Sequence, residues 1–173
     1  IARMQIDAGA IGIVSQKGGE AEAMVDGGIE NVLIPYNIVG KAKLERLSRL
    51  VRSDKATITV AADSATTVKG LSQQADRDGY TQQVIVEVDA GGHRCGVQSP
   101  QATLELAQLI DQLPGLQFMG IMTYASNDGV GPFFDEVRDL TAKAGLELTI
   151  VSAGGTGSSI RIVRARTAVA AGA

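Results

Sequence analysis

Short β-branched runs alternate along this chain with stretches whose apolar residues recur every three or four positions, and glycines punctuate the changes. Six strands are predicted: Ile11 to Ser15, Asn31 to Tyr36, Ala56 to Ala62, Gln83 to Val88, Gln117 to Tyr124 and Glu147 to Ser152. Their nearly unbroken apolar character suits strands covered on both faces, whereas a half-exposed antiparallel sheet alternates more cleanly. Between them, Leu44, Leu47 and Val51 share one helical face, as do Val68, Leu71 and Ala75, and Leu106, Leu109 and Leu113. Ser99-Pro100 supplies a capping hydroxyl followed by proline at the first helical position, and Gly28, Gly79 and Gly145 stand where helices should stop.

Strand and helix in strict alternation point to β/α units around a parallel sheet. A closed barrel of eight such units takes about 250 residues, so 173 residues hold about six. Six units make either an open doubly wound sheet or a barrel without its first and last strands. The chain opens on Ile1-Ala2-Arg3-Met4-Gln5-Ile6-Asp7, a helix already under way, which favours the second. The expected fold is therefore α/β, an incomplete TIM-type (β/α) barrel lacking its first and last strands.

Composition narrows the chemistry. The formal charge is −3 with basic residues scattered, so no contiguous positive face offers itself to nucleic acid. A single cysteine and a single histidine rule out an internal disulfide and the usual zinc cage. No apolar run approaches the roughly 20 residues of a membrane span, and no secretion signal is visible, so the cytoplasm is the default location.

In parallel β/α folds the ligand lies beyond the carboxyl ends of the strands. The residues expected there are Ser15 and Gln16, Asn37, Asp63, Asp89 with the following Gly91-Gly92-His93-Arg94, Tyr124 with Ser126 and Asn127, and Ser152 before Gly154-Gly155-Thr156-Gly157. Asn37, Asp63 and Ser126 are explained by ordinary turn polarity. The Gly154–Gly157 cluster is either an ordinary tight turn or an anion seat, because glycines around one hydroxyl let successive N–H groups converge on an anion. It lacks a Walker lysine and a dinucleotide spacing, so a monophosphate fits better than ATP or NAD. Arg94 is either a surface arginine in a flexible loop or a planar donor fork for a ligand, His93 reads as an exposed bystander, and Tyr124 is either a ligand platform or core.

Four blocks, in order, resemble the alanine-racemase-type barrel of fold-type III pyridoxal 5′-phosphate enzymes, and among them the D-threonine aldolases and related D-serine dehydratases. The blocks are Gly12-Ile13-Val14-Ser15-Gln16-Lys17 with Glu20-Ala21-Glu22-Ala23, Val86 through Val97, Gly120-Ile121-Met122-Thr123-Tyr124, and Val151-Ser152-Ala153-Gly154-Gly155-Thr156-Gly157. The resemblance covers residues 1 to 158 and leaves 159–173 as a non-matching tail. It implies that Gly154, Gly155, Thr156 and Gly157 hold the cofactor phosphate and that Arg94 meets the ring phenolate oxygen. It also implies that Tyr124 lies against the ring, with Gln16 and Ser152 as polar neighbours and Asp89 orienting the Arg94 loop.

The implied reaction is retro-aldol cleavage of a D-3-hydroxy amino acid to glycine and an aldehyde, assisted by a divalent metal. The alternatives are dehydratase-like β-elimination and a non-catalytic phosphate-binding or cofactor-binding domain. Relatives carry the imine-forming lysine just upstream of the position of Ile1 and the metal ligands beyond Ser158, so neither set is expected within this chain. Lys17 is expected to be a bystander, and the chain alone is expected not to catalyse the cleavage. An intact parent would act as a homodimer, as relatives do.

Overall fold

A computed structural model describes residues 1–124 and 127–154. The elements run α1 (Ala2–Asp7), β1 (Ile13–Val14), α2 (Gly18–Asp26), β2 (Asn31–Ile34), α3 (Lys41–Arg52), β3 (Thr57–Ala62), α4 (Ala65–Asp78), β4 (Gln82–Glu87), α5 (Pro100–Gln112), β5 (Leu116–Tyr124), α6 (Val130–Lys143) and β6 (Ile150–Gly154). The six strands form one sheet in sequential order, each pair parallel. The sheet curls into an open arc of a TIM-type barrel, as expected.

Side chains alternate between the two faces of that arc. Val32, Ile34, Ile58, Val60, Val84, Val86 and Ile121 pack outward against Val68, Leu71, Leu106, Ile110 and Val137 of the helices. Burying a residue such as Leu71 or Ile110 contributes about 1.5–3 kcal/mol, so this outer layer dominates the stability. The inner face has a smaller cluster of Ala61, Ile85 and Met122, with Leu33, Met119 and Ile150 against it. In register at the carboxyl end of this inner face lie Glu87, Met122 and Ser152. The fold thus sets one ionisable residue of β4 on the wall that faces the barrel axis.

The helical faces read from the sequence are the ones turned inward: Val68, Leu71, Ala75, Leu47 and Leu106 are buried, while Leu44, Val51, Leu109 and Leu113 are partly buried. Ser99 Oγ accepts the Ala102 N–H at 3.2 Å with Pro100 at the first helical position. Gly28, Gly79 and Gly145 each follow a helix with positive φ. Two strands differ from expectation. β1 is only two residues long, because Asn31 Nδ2 takes the Ile11 carbonyl that a longer strand would have paired. β6 begins at Ile150, later than Glu147, where the apolar pattern placed it; just before it α6 closes with the Leu146 N–H donating to the Thr141 carbonyl.

Between β5 and β6 the backbones come very close. A Cβ on Gly120 would sit 1.9 Å from the Ile150 carbonyl oxygen, and φ there is +142°, so only glycine fits. The register of β4 against β5 slips by one residue at Val84/Ile85, just before this glycine's partner. Beyond the slip, Glu87 at the end of β4 pairs with Met122, and β5 runs on to Tyr124 at the rim.

Candidate functional site

The rim is built around the connection that leaves β4. Residues 88–97 leave the strand end and fold straight back to it: Val97 N–H donates to the Glu87 carbonyl and Asp89 N–H to the Val97 carbonyl, both at 2.9 Å. The tip is tied by Asp89, whose Oδ1 accepts the backbone N–H groups of Gly91, Gly92 and His93 at 3.1, 2.7 and 2.9 Å. Burial is the largest single influence and pushes the Asp89 carboxyl up, but those three N–H donors together outweigh it and hold the group below the usual Asp range. Gly96 closes the return limb with φ +112°, where a Cβ would meet Val88 backbone at 2.5 Å. Asp89 therefore orients the loop, as the sequence suggested, while the His93 side chain is exposed.

Arg94 projects from this loop over the rim. Its Nη2 donates to Glu87 Oε1, and its Nη1 to the Tyr36 hydroxyl at 3.1 Å. The guanidinium carbon lies 4.9 Å from the Tyr124 ring centroid and 5.7 Å from that of Tyr36. Glu87 is 1% exposed and also accepts the Cys95 thiol at 3.2 Å, while its Oε2 has no partner among the described residues. Burial pushes the Glu87 carboxyl up, against the downward pull of the Cys95 hydrogen bond and the Arg94 charge. Burial likewise pushes the Cys95 thiol up, and Glu87 beside it adds to this, to about 11.

Tyr36 and Asn37 bring β2 into the same place. Asn37 Nδ2 donates to Asp63 Oδ1 at 2.8 Å, Asp63 N–H donates back to Asn37 Oδ1 at 3.2 Å, and Asp63 Oδ2 accepts the Gly96 N–H at 3.2 Å. These two residues, assigned from the sequence to turn polarity alone, are instead a reciprocal pair that joins three strand ends. Gln16 donates its backbone N–H to Glu20 Oε2 at 2.8 Å. It lines a cleft of about 500 Å³ between α2 and α3, shared with Lys17, Tyr36, Asn37 and Arg46.

Tyr124 is 58% exposed, so it belongs to the rim and not to the core. Its register partner is Gly154, and Ser152 pairs with Met122 one step inside. Arg94, Tyr124, Ser152 and Gly154 thus converge on the β4–β6 side of the rim. Gly155, Thr156 and Gly157 lie outside the described residues, as do Ser126 and 159–173. Sequence reasoning missed Tyr36 and Glu87. Glu87 left a signal, a lone charge inside the apolar run Val84-Ile85-Val86-Glu87-Val88.

The arrangement suits an aromatic phosphate better than a metal. Arg94 has five N–H donors and spends two on Glu87 and Tyr36, so donors remain for a ligand oxygen beside the exposed Tyr124 ring. The carboxylates of Asp63 and Glu87 and the Cys95 sulfur lie within 4.8 Å of one another. Yet Asp63 is bonded to Asn37 and Gly96, the thiol stays protonated at neutral pH, and Arg94 already supplies the positive charge. A divalent cation does not fit there. Among the described residues no helix is long and apolar enough to cross a membrane.

Known proteins share this arrangement of sequence and fold. The chain is 35% identical over 167 residues to 3-hydroxy-D-aspartate aldolase of Paracoccus denitrificans (strain Pd 1222), covering 87% of this chain and 42% of that protein. It is 41% identical over 124 residues to D-threonine aldolase of an Arthrobacter species, covering 72% and 32%. The crystal structure of D-threonine aldolase from Filomicrobium marinum superposes with a TM-score of 0.76 at 36% identity, over 91% of this chain and 46% of that one. D-threo-3-hydroxyaspartate dehydratase from Delftia sp. HT23 shares the fold, with a TM-score of 0.82 at 21% identity, over 92% and 45%. The chain thus spans less than half the length of these relatives. The family model for the alanine racemase N-terminal domain matches residues 1–173, and the chain belongs to that family.

Proposed function

We propose that this chain is the cofactor-binding part of a pyridoxal 5′-phosphate-dependent lyase that cleaves D-3-hydroxy amino acids to glycine and an aldehyde. The observation that carries the proposal is Arg94, braced by buried Glu87 and Tyr36 over the exposed ring of Tyr124 at the carboxyl ends of the strands. When bound, the pyridinium ring supplies an electron sink for charge developing at the substrate Cα. Arg94, a permanent cation, holds the ring's phenolate oxygen ionised. Tyr124 bounds the ring, Gly154, Gly155, Thr156 and Gly157 hold the phosphate through N–H and hydroxyl donors, and Gln16 and Ser152 are its polar neighbours. The two curated aldolases similar to this chain, named for D-threonine and 3-hydroxy-D-aspartate, support the substrate class.

Titration of the chain with pyridoxal phosphate, followed by the cofactor's absorbance, tests the reading. Saturable binding, weakened at least about tenfold by Arg94→Ala, is expected. No binding, or binding indifferent to Arg94, overturns it. Borohydride reduction followed by mass mapping should leave Lys17 unmodified, and an adduct there would reassign the covalent anchor. In a longer protein containing this chain, glycine release from D-threonine identifies the aldolase, whereas ammonia without glycine identifies β-elimination.

A further inference from the structure

We infer that Asp63 is the positioning residue that sets Arg94 in place, acting through the backbone of the returning loop and not through the guanidinium itself. The inference rests on the reading of Arg94 as a cofactor contact. Asp63 is the first residue after β3, one step beyond the register pair Ala62–Val86, and so stands beside Glu87 at the strand ends. It does not bond to Arg94. Its Oδ2 instead accepts the N–H of Gly96, two residues further along.

Arg94 therefore sits between two tethers. On the outgoing side Asp89 gathers the N–H groups of Gly91, Gly92 and His93. On the returning side Asp63 holds Gly96, whose backbone lies so close to Val88 that no side chain fits. The tether is itself anchored, because Asn37 both donates to Asp63 Oδ1 and accepts from the Asp63 N–H. β2, β3 and the β4 loop are thereby tied by three hydrogen bonds through one residue, two accepted by its carboxylate and one donated by its backbone N–H.

The chemistry explains why the residue is acidic despite standing beside Glu87, whose ionisation it opposes. Both Asp63 oxygens face N–H donors, one from Asn37 and one from Gly96. Asparagine at 63 has one oxygen, so its amide NH₂ must confront one of those two donors. The exchange of both residues, Asn37→Asp with Asp63→Asn, reverses the Asn37–Asp63 bond. It leaves the new amide oxygen free for Gly96 and the new carboxylate free for the residue 63 N–H. All three hydrogen bonds are restored.

The experiment has one arm without cofactor and one with it. Amide exchange at Gly91, Gly92 and His93, which bond to Asp89 and not to Asp63, is followed by NMR in the unaltered chain, Asp63→Asn and the exchanged pair. Exchange about tenfold faster in Asp63→Asn, returning in the exchanged pair, is expected. Unchanged exchange in Asp63→Asn, or failure of the folded exchanged pair to restore it, overturns the inference whether or not the cofactor binds. Cofactor affinity is then measured in both Arg94 backgrounds. Asp63→Asn should weaken binding about tenfold when Arg94 is present and add nothing in Arg94→Ala. An equal loss in both backgrounds would show a merely structural role and overturn the positioning claim. Absence of binding by the unaltered chain would instead sink the cofactor reading and leave the exchange result to decide Asp63.

Discussion

Arg94 and Glu87 are seven residues apart in sequence, yet the guanidinium returns to bond the carboxylate of the strand it left. The pair joins an exposed donor to a carboxylate that is almost wholly buried, so the acid fixes one edge of the fork while the other edge stays at the surface. Glu87→Gln keeps the shape and removes the charge. Pyridoxal phosphate affinity should fall about tenfold, because a neutral amide holds the fork less firmly. The same change should be visible at Cys95, whose thiol Glu87 helps to push up to about 11. Alkylation of this single cysteine should rise through that pH in the unaltered chain and through a lower pH in Glu87→Gln.

The tip of the loop should respond to acid. Asp89 titrates below its ordinary range because its folded form accepts three N–H bonds. A lowered pKa in the fold means that the stabilisation is present above the unfolded value and lost as pH falls through the folded one. Amides of Gly91, Gly92 and His93 should therefore lose protection at acid pH, beginning below the usual Asp range. Asp89→Asn should show weaker protection at neutral pH and little further loss on acidification.

Ser99→Ala removes the hydroxyl that accepts the Ala102 N–H at the start of α5. The expected cost is about 1 kcal/mol, read as a lowered midpoint in urea with an unchanged slope. Thr103, which bonds the Ser99 carbonyl at 2.8 Å, keeps the first turn in register, so the loss should not spread to the rim.

Gly120→Ala should be far more damaging. The added methyl would overlap the Ile150 carbonyl, and φ of +142° is closed to alanine. The alanine variant should lose the pairing of β5 with β6, detected as fast amide exchange at Val151 and Ala153 or as failure to accumulate folded protein.

Much of this architecture was legible before any coordinates, and the physical reason differs from element to element. Val68, Leu71 and Ala75 announced a buried helical face because helix burial follows a local period. The Ser99-Pro100 start of α5 was readable because capping is decided within four residues. Arg94 and Tyr124 were placed at strand ends by the β/α alternation alone, and the fold brings them within one ring of each other. Asn37 and Asp63 were placed at strand ends but assigned to turn polarity, because their bond spans 26 residues and a polar turn residue carries no mark of its partner. Tyr36 was hidden similarly: 58 residues separate it from Arg94. The strand bounds also failed locally: at β1 a side-chain amide claimed a backbone carbonyl that the apolar pattern assigned to the strand, and β6 starts later than that pattern placed it.

The short excursion from Glu87 to Val97 works as a ruler. Both of its ends are nailed to the same strand terminus, and its middle is pinned twice more, so it has no slack to absorb an extra residue. Surface connections of this kind of fold ordinarily tolerate insertions and deletions, but here a single added residue would swing the guanidinium off its acid and away from both phenols. Length, as much as residue identity, is what this segment encodes.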